Sequence, residues 1–334
     1  MTAVAPISDR LGGGDAAALG QTRGRAVDIW GDRVFRAFAL GAGLSVLAIL
    51  ALIAIVTTKQ SWPVFRHEGF SFITSSKWDP AHNRFGALAF IYGTVIASLI
   101  GVVLAVPMSL GIALFTTELA PRRLRKPVVY VVDLLAAIPS VVYGLWALAV
   151  FKTPAQHAYQ HVSDTIGKVP LFGRFFGGQA SGASFFTAGI VLAVMITPIV
   201  TAISREVLAT IAQDDKNAAL AMGATRWEML RVAVFPRARS GLVGAVMLGL
   251  GRALGETIAV ALVIGSSHQI TSHLFRPGDS MAAVIAHEWG EGQSDPIHLA
   301  ALIGLAVLLF ALTIVINVIA RTIANRGSHT GANA

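Results

Sequence analysis

Six apolar runs, each long enough to cross a bilayer, constrain this chain more than any other feature. They cover about 37–57, 87–115, 128–151, 183–203, 241–265 and 298–320. Roughly 20 apolar residues span the ~30 Å hydrocarbon layer. At that depth backbone groups must be satisfied internally, so the expected fold is an all-α integral membrane protein of six transmembrane helices. Pro107, Pro139 and Pro198 lie inside three of the runs and mark kinks. Only 13% of the 334 residues are charged, against about 25% in soluble domains.

The first run starts too late, and is too long, for a cleaved signal peptide. Residues 1–30 are therefore expected as a flexible cytoplasmic tail, 31–326 as the six-span domain and 327–334 as a second tail. The segments 1–36, 117–127, 205–240 and 321–334 hold seventeen of the 26 Lys and Arg, and the alternate segments hold eight. This bias places both termini inside. The cluster Arg122-Arg123-Leu124-Arg125-Lys126 is its strongest anchor. The net charge of +8 is thus a matter of orientation in the lipid membrane, not of nucleic-acid binding. The chain has no cysteine, which excludes disulfides and thiol chemistry. The histidines follow no metal-ligand spacing, so no metal is expected. The outer loop Phe70–Pro80, FSFITSSKWDP, either packs on the bundle mouth or touches an external partner.

The fifth run carries two charges, Arg252 and Glu256, in GLGRALGETIAV. Charges at the bilayer centre are costly and face a bundle interior or a water-filled path. On one continuous helix they share a face, and Arg252 lies ~16 Å from Gly241, near the midplane. A guanidinium matches phosphate oxygens bidentately. The pair is therefore either a substrate translocation site or a salt bridge that locks packing beside Gly249, Gly251 and Gly255. Asp133 is a third intramembrane charge, with a structural or a pathway role. Ser140 and Tyr143 follow Pro139 and either pack or turn hydroxyls toward a path.

The inner connection 205–240 is the most patterned. Ala218–Met222 favours a helix, Gly223 suits a left-handed cap, and Thr225 with Glu228 forms a capping box for a second short helix ended by Phe235-Pro236. The result is an elbow at the membrane surface. Asn217–Pro236 resembles the cytoplasmic loop of ABC-importer permeases, E-A-A-x3-G-x9-I-x-L-P. Ala218, Ala219, Gly223 and Pro236 match, while Asn217, Ala233 and Phe235 depart from Glu, Ile and Leu. ELAPRRLRKP (118–127), LLAAIPSVVYGLWAL (134–148) and GRALGETIAV (251–260) resemble the PstC-type phosphate permeases of PstSCAB importers. The related PstA permeases share part of the pattern, and the SSKWDP loop fits the PstC type better.

That resemblance implies an ABC-importer permease fold with cytoplasmic coupling helices, in the plasma membrane. It implies translocation of inorganic phosphate by alternating access, with Arg252 and Glu256 on the path. It implies coupling to an ATPase through Asn217, Ala218, Ala219, Gly223 and Pro236. The partners would be a PstA-like permease, two PstB-like ATPases and an external PstS phosphate-binding protein. The sequence has no G-x-x-x-x-G-K-[ST] phosphate loop, so no cofactor is expected in this chain, and ATP and magnesium would be bound by the partner ATPase. No bond-breaking active site is expected. Another oxyanion such as molybdate or phosphonate, an ATPase-independent ion-coupled transporter, and a signalling scaffold remain as alternatives.

Overall fold

The computed structural model describes residues 14–326. Fourteen α-helices follow in chain order among them. They are α1 (Gly14–Glu68), α2 (Ser71–Thr74), α3 (Leu88–Leu114), α4 (Arg122–Ala137), α5 (Ser140–Trp146), α6 (Lys152–Thr165) and α7 (Pro170–Phe176). Then come α8 (Phe185–Ala209), α9 (Gln213–Ala221), α10 (Arg226–Met229), α11 (Phe235–Gly255), α12 (Ile258–Ile264), α13 (Met281–Gly292) and α14 (Pro296–Arg326). The described residues contain no strand, only an isolated bridge between Asp79 and Arg84. Among the described residues five helices are long and apolar enough to cross a membrane. Counting α4 with the segment Ser140–Lys168, which bend by 91° at Ile138-Pro139, gives six.

The chain divides into two units, Met1–Val56 and Thr57–Ala334. The first unit is helical wherever it is described, and its apolar side chains, including Phe35, Phe38 and Leu44, are exposed. The sequence predicts a flexible tail over 1–30, yet α1 already begins at Gly14. Ala16, Ala17, Ala18 and Leu19 are strong helix formers, and propensity there extends the helix back from the span. Residues 1–13 and the tail 327–334 lie outside the described residues.

In the second unit, α3 and α8 form the central pair. Small residues let them approach: a Cβ at Gly101 would stand 2.9 Å from the Leu192 Cβ, and one at Gly189 would overlap Ile100. Ser184 starts α8 by accepting the Thr187 N–H on its hydroxyl. A second apolar cluster joins Phe72, Trp78, Phe85 and Phe90 to Met281, Leu302 and Leu305. The Trp78 ring meets Phe85 and Phe90 edge-on, each at 5.0 Å. The loop Phe70–Pro80 therefore packs into the bundle through Phe72 and Trp78.

Two spans are broken. At Pro139 the missing N–H frees the Leu135 carbonyl, and the Tyr143 hydroxyl donates to it at 2.7 Å. The fifth run, predicted as one helix over 241–265, ends at Gly255. Glu256 is extended (φ −71°, ψ 127°), and the chain restarts as α12. The helices that follow the two breaks, α5 and α12, then cross each other: a Cβ at Gly144 would stand 2.8 Å from the Ala259 Cα.

Candidate functional site

The inner half of the fifth span differs from its sequence reading in where it starts. Phe235-Pro236 does not end the elbow's second helix. Instead a π turn (Leu230–Val234) runs directly into α11, with Pro236 in its first turn. A first-turn proline loses no helical hydrogen bond, and the wider π turn before it accommodates the ring.

Along α11 one stripe is packed: Ala238, Leu242, Ala245, Gly249 and Ala253 are buried. It lies against α8, where Cβ atoms at Gly241 and Gly249 would meet Val207 and Val200 at 2.6 Å. The neighbouring stripe of Gly244, Leu248, Arg252 and Gly255, about 100° round the helix, is exposed. The spacing of four and three residues is that of one helix face. Arg252 sits on this open face about 20 Å along the helix from Arg239. Cβ atoms at Gly251 and Gly255 would meet nothing within 4 Å, so within this chain only Gly249 of the three glycines makes a tight contact.

The break at Glu256 changes the relation of the two charges. Glu256 does not continue the helical face of Arg252. Its Oε1 accepts the Ala259 N–H at 3.4 Å and so caps the start of α12. Among the described residues no ion pair forms between Arg252 and Glu256. Asp133 is exposed on α4 and makes no ion pair with the Arg122–Lys126 cluster. Ser140 is half-buried at the start of α5, and Tyr143 is buried with its hydroxyl committed to Leu135. Arg252 and Asp133 thus share one property: each lies on a face that this chain leaves open.

The elbow's glycine turn and its capping box have the form the sequence specifies. Gly223 is left-handed at φ +87° after α9. Thr225 and Glu228 complete both arms of the capping box. The Thr225 N–H donates to Glu228 Oε2 at 2.8 Å, and the Glu228 N–H donates to Thr225 Oγ1 at 3.3 Å. Met229, Leu230 and Ala219 anchor the inner face on Ala113, Leu114 and Leu208. The outer face presents Asn217, Ala218, Leu220, Met222, Gly223, Trp227 and Val232 to solvent.

Three groups escaped the sequence reading. Lys216, immediately before Asn217, is buried, and its Nζ lies 2.6 Å from Glu118 Oε1. Asp215 pairs with Arg237 at 3.1 Å. In the connections away from the elbow, Glu288 accepts from Trp78 Nε1 at 2.8 Å and meets His298 Nε2 at 2.9 Å, with His268 3.8 Å away. Asp279 stands 3.9 Å from His268, and burial raises its carboxyl to about 7 while burial lowers His268. Only the DDK triplet hinted at the first two pairs.

Broken spans around a central helix pair, with a capped elbow on one connection, define a multi-pass transporter permease. Residues 105–328 match the family described as "binding-protein-dependent transport system inner membrane component". The chain is 42% identical over 303 residues to the phosphate transport system permease protein PstC of Mesorhizobium japonicum, covering 90% of this chain and 92% of that one. It is 40% identical to PstC of Haemophilus influenzae (90% and 95% covered) and 42% identical to PstC 2 of Mycobacterium tuberculosis (88% and 92%). A bacterial ABC transporter involved in alginate import shares the fold with a TM-score of 0.53 at 18% identity, over 89% of this chain and 99% of that one. The MetNI methionine transporter does so at 0.51 and 16%, over 71% and 94%. The chain therefore belongs to the binding-protein-dependent transport system inner membrane components, and within them to the family of PstC permeases.

Proposed function

We propose that this chain forms one half of the path by which an ATP-driven importer carries inorganic phosphate across the plasma membrane. The observation that carries the reading is Arg252, a guanidinium on an open face of a broken span that forms no ion pair among the described residues. Its planar donors suit two oxygens of a hydrogenphosphate. Glu256, four residues on at the break, supplies counter-charge, and a balanced site permits release where an isolated cation would hold the anion. The names of the relatives support phosphate as the substrate.

A PstA-like permease would close the open faces of α11 and α4, completing the path beside Arg252 and Asp133. Two PstB-like ATPases would bind ATP and magnesium and seat the elbow through Asn217, Ala218, Met222, Gly223 and Trp227, with Ala219 facing the bundle instead. An external PstS-type protein would deliver phosphate. With both termini cytoplasmic, as the Lys and Arg bias indicates, ATP binding would close the ATPases and move the elbow. The continuous helix from Arg226 through Gly255 would carry that motion to Arg252.

The test is ATP-dependent phosphate uptake into vesicles by this chain co-expressed with its genomic neighbours, with sulfate and molybdate as competitors. Uptake that resists both and vanishes without the ATPase is expected. Uptake without the ATPase, or of a competitor instead of phosphate, would overturn the reading.

A further inference from the structure

The elbow is held by more than apolar packing. Met229, Leu230 and Ala219 fix its distance from the bundle, but apolar contacts are non-directional and tolerate rotation of a short helix. Two consecutive residues in the first turn of α9 supply direction. Lys216 reaches Glu118, in the π turn Phe115–Leu119 that extends α3, with the two side chains 7% and 13% exposed. Asp215 reaches Arg237 in the first turns of α11, and Arg237 also donates to the Ala233 carbonyl at 3.2 Å.

Adjacent residues on a helix point about 100° apart, so the two bridges leave in different directions to two different membrane helices. They also have opposite polarity. Turning α9 by one residue would bring Asp215 toward Glu118 and leave Lys216 without its carboxylate. A buried lysine that loses its partner is strongly unfavourable, whereas apolar side chains of similar size would pack there at no electrostatic cost. Registry is the best-attested use of such a buried pair.

We propose that Asp215 and Lys216 form a two-armed charge clamp that sets the rotation of α9 and ties the docking elbow to α3 and α11 together. They are positioning residues, and the proposal rests on the elbow being the ATPase-docking element. Movement of α9 passes through Lys216–Glu118 to the central α3–α8 pair. Through Asp215–Arg237 it passes to the helix that carries Arg252. Without the clamp the elbow still docks, but it turns in its seat and its motion is lost.

The experiment uses the assembled importer and reads phosphate imported per ATP hydrolysed. Lys216→Met, Lys216→Glu and Glu118→Lys are expected to retain the ATPase on co-purification and to lower that ratio about fivefold or more. The exchange Lys216→Glu with Glu118→Lys is expected to restore it to within about twofold of the wild type. Asp215→Arg with Arg237→Asp repeats the test at the exposed arm, where exchange carries no burial cost. Single variants with an unchanged ratio, or folded exchanges that restore neither arm, would overturn the clamp. Hydrogen exchange over 213–221 in the purified chain reads it without any transport. Faster exchange in the single variants and recovery in the exchanges are expected, and exchange equal to wild type in all would overturn it. Absence of uptake by the wild type would instead strike the functional reading and leave this second readout in force.

Discussion

Gly144 lies directly against Ala259, so that a Cβ at 144 would stand 2.8 Å from the Ala259 Cα and 2.9 Å from Leu262 Cδ1. This contact joins the two broken spans. Each has one helix before its break, α4 or α11, and one after it, α5 or α12, and the two later helices meet here. The break at Glu256 ends α11 just past Arg252, so the guanidinium sits in the last turn of a helix instead of midway along a continuous one.

Replacing Gly144 with Val should separate α5 from α12. Backbone and side chain both crowd the site, and overpacking of this kind costs about 1–3 kcal/mol. A lowered thermal midpoint of the purified permease in detergent is expected, together with reduced uptake. Unchanged stability would show that the two halves do not need this contact.

Tyr143→Phe separates a structural hydroxyl from a path-lining one. The hydroxyl accounts for the Leu135 carbonyl at 2.7 Å, leaving in its absence only the Ile138 N–H at 3.4 Å. A loss of about 1 kcal/mol is expected, with the KM for phosphate unchanged. A raised KM at full stability would place the hydroxyl on the substrate instead.

Asp279 gives the outer loops a pH dependence. Its carboxyl, ordinarily at 3.8, is raised to about 7 chiefly by burial; the Ser280 N–H opposes that shift and the Glu288 charge adds to it. A raised acid contributes stability that is full below pH 3.8 and is lost as pH climbs through about 7. Burial of His268, near Glu288 and His287, acts in the opposite sense as pH rises toward 6.5, so the variant comparison isolates the carboxyl. Between about pH 5 and 7.5 the wild type should lose on the order of 1–4 kcal/mol relative to Asp279→Asn. Parallel melting profiles for the two would contradict this.

Gly223→Pro tests the elbow. Proline cannot adopt φ +87° and removes the N–H that donates to the Leu220 carbonyl at 3.0 Å. The chain should still insert, because the spans are untouched, but the ATPase should no longer co-purify or should hydrolyse ATP without transport. Unchanged co-purification and uptake would remove the elbow from the coupling.

The spans, the Pro139 break and the Gly223–Glu228 elbow were legible because each depends on local chemistry: apolar length, a missing N–H, a left-handed glycine and a capping box. The break at Glu256 was not. Apolar residues continue through 258–264, and the contact that α12 makes after the break is with α5, more than a hundred residues earlier in the chain. The Lys216–Glu118 pair spans 98 positions, and Asp279, His268, Glu288 and His298 come together only when α13 and α14 fold over the outer loops. Pro236 misled for a different reason. A proline that ends one helix and one that begins the next look alike until the preceding turn is seen.

The central claim is that Arg252 is the phosphate-binding cation of the path. The most direct measurement is ATP-driven uptake of radiolabelled phosphate by importers carrying Arg252→Gln or Arg252→Lys, with assembly checked by co-purification of the ATPase. Uptake abolished in the glutamine variant and weakened in the lysine variant, whose ammonium keeps the charge but not the planar donors, is the expected result. Normal uptake by a fully assembled Arg252→Gln importer would contradict it.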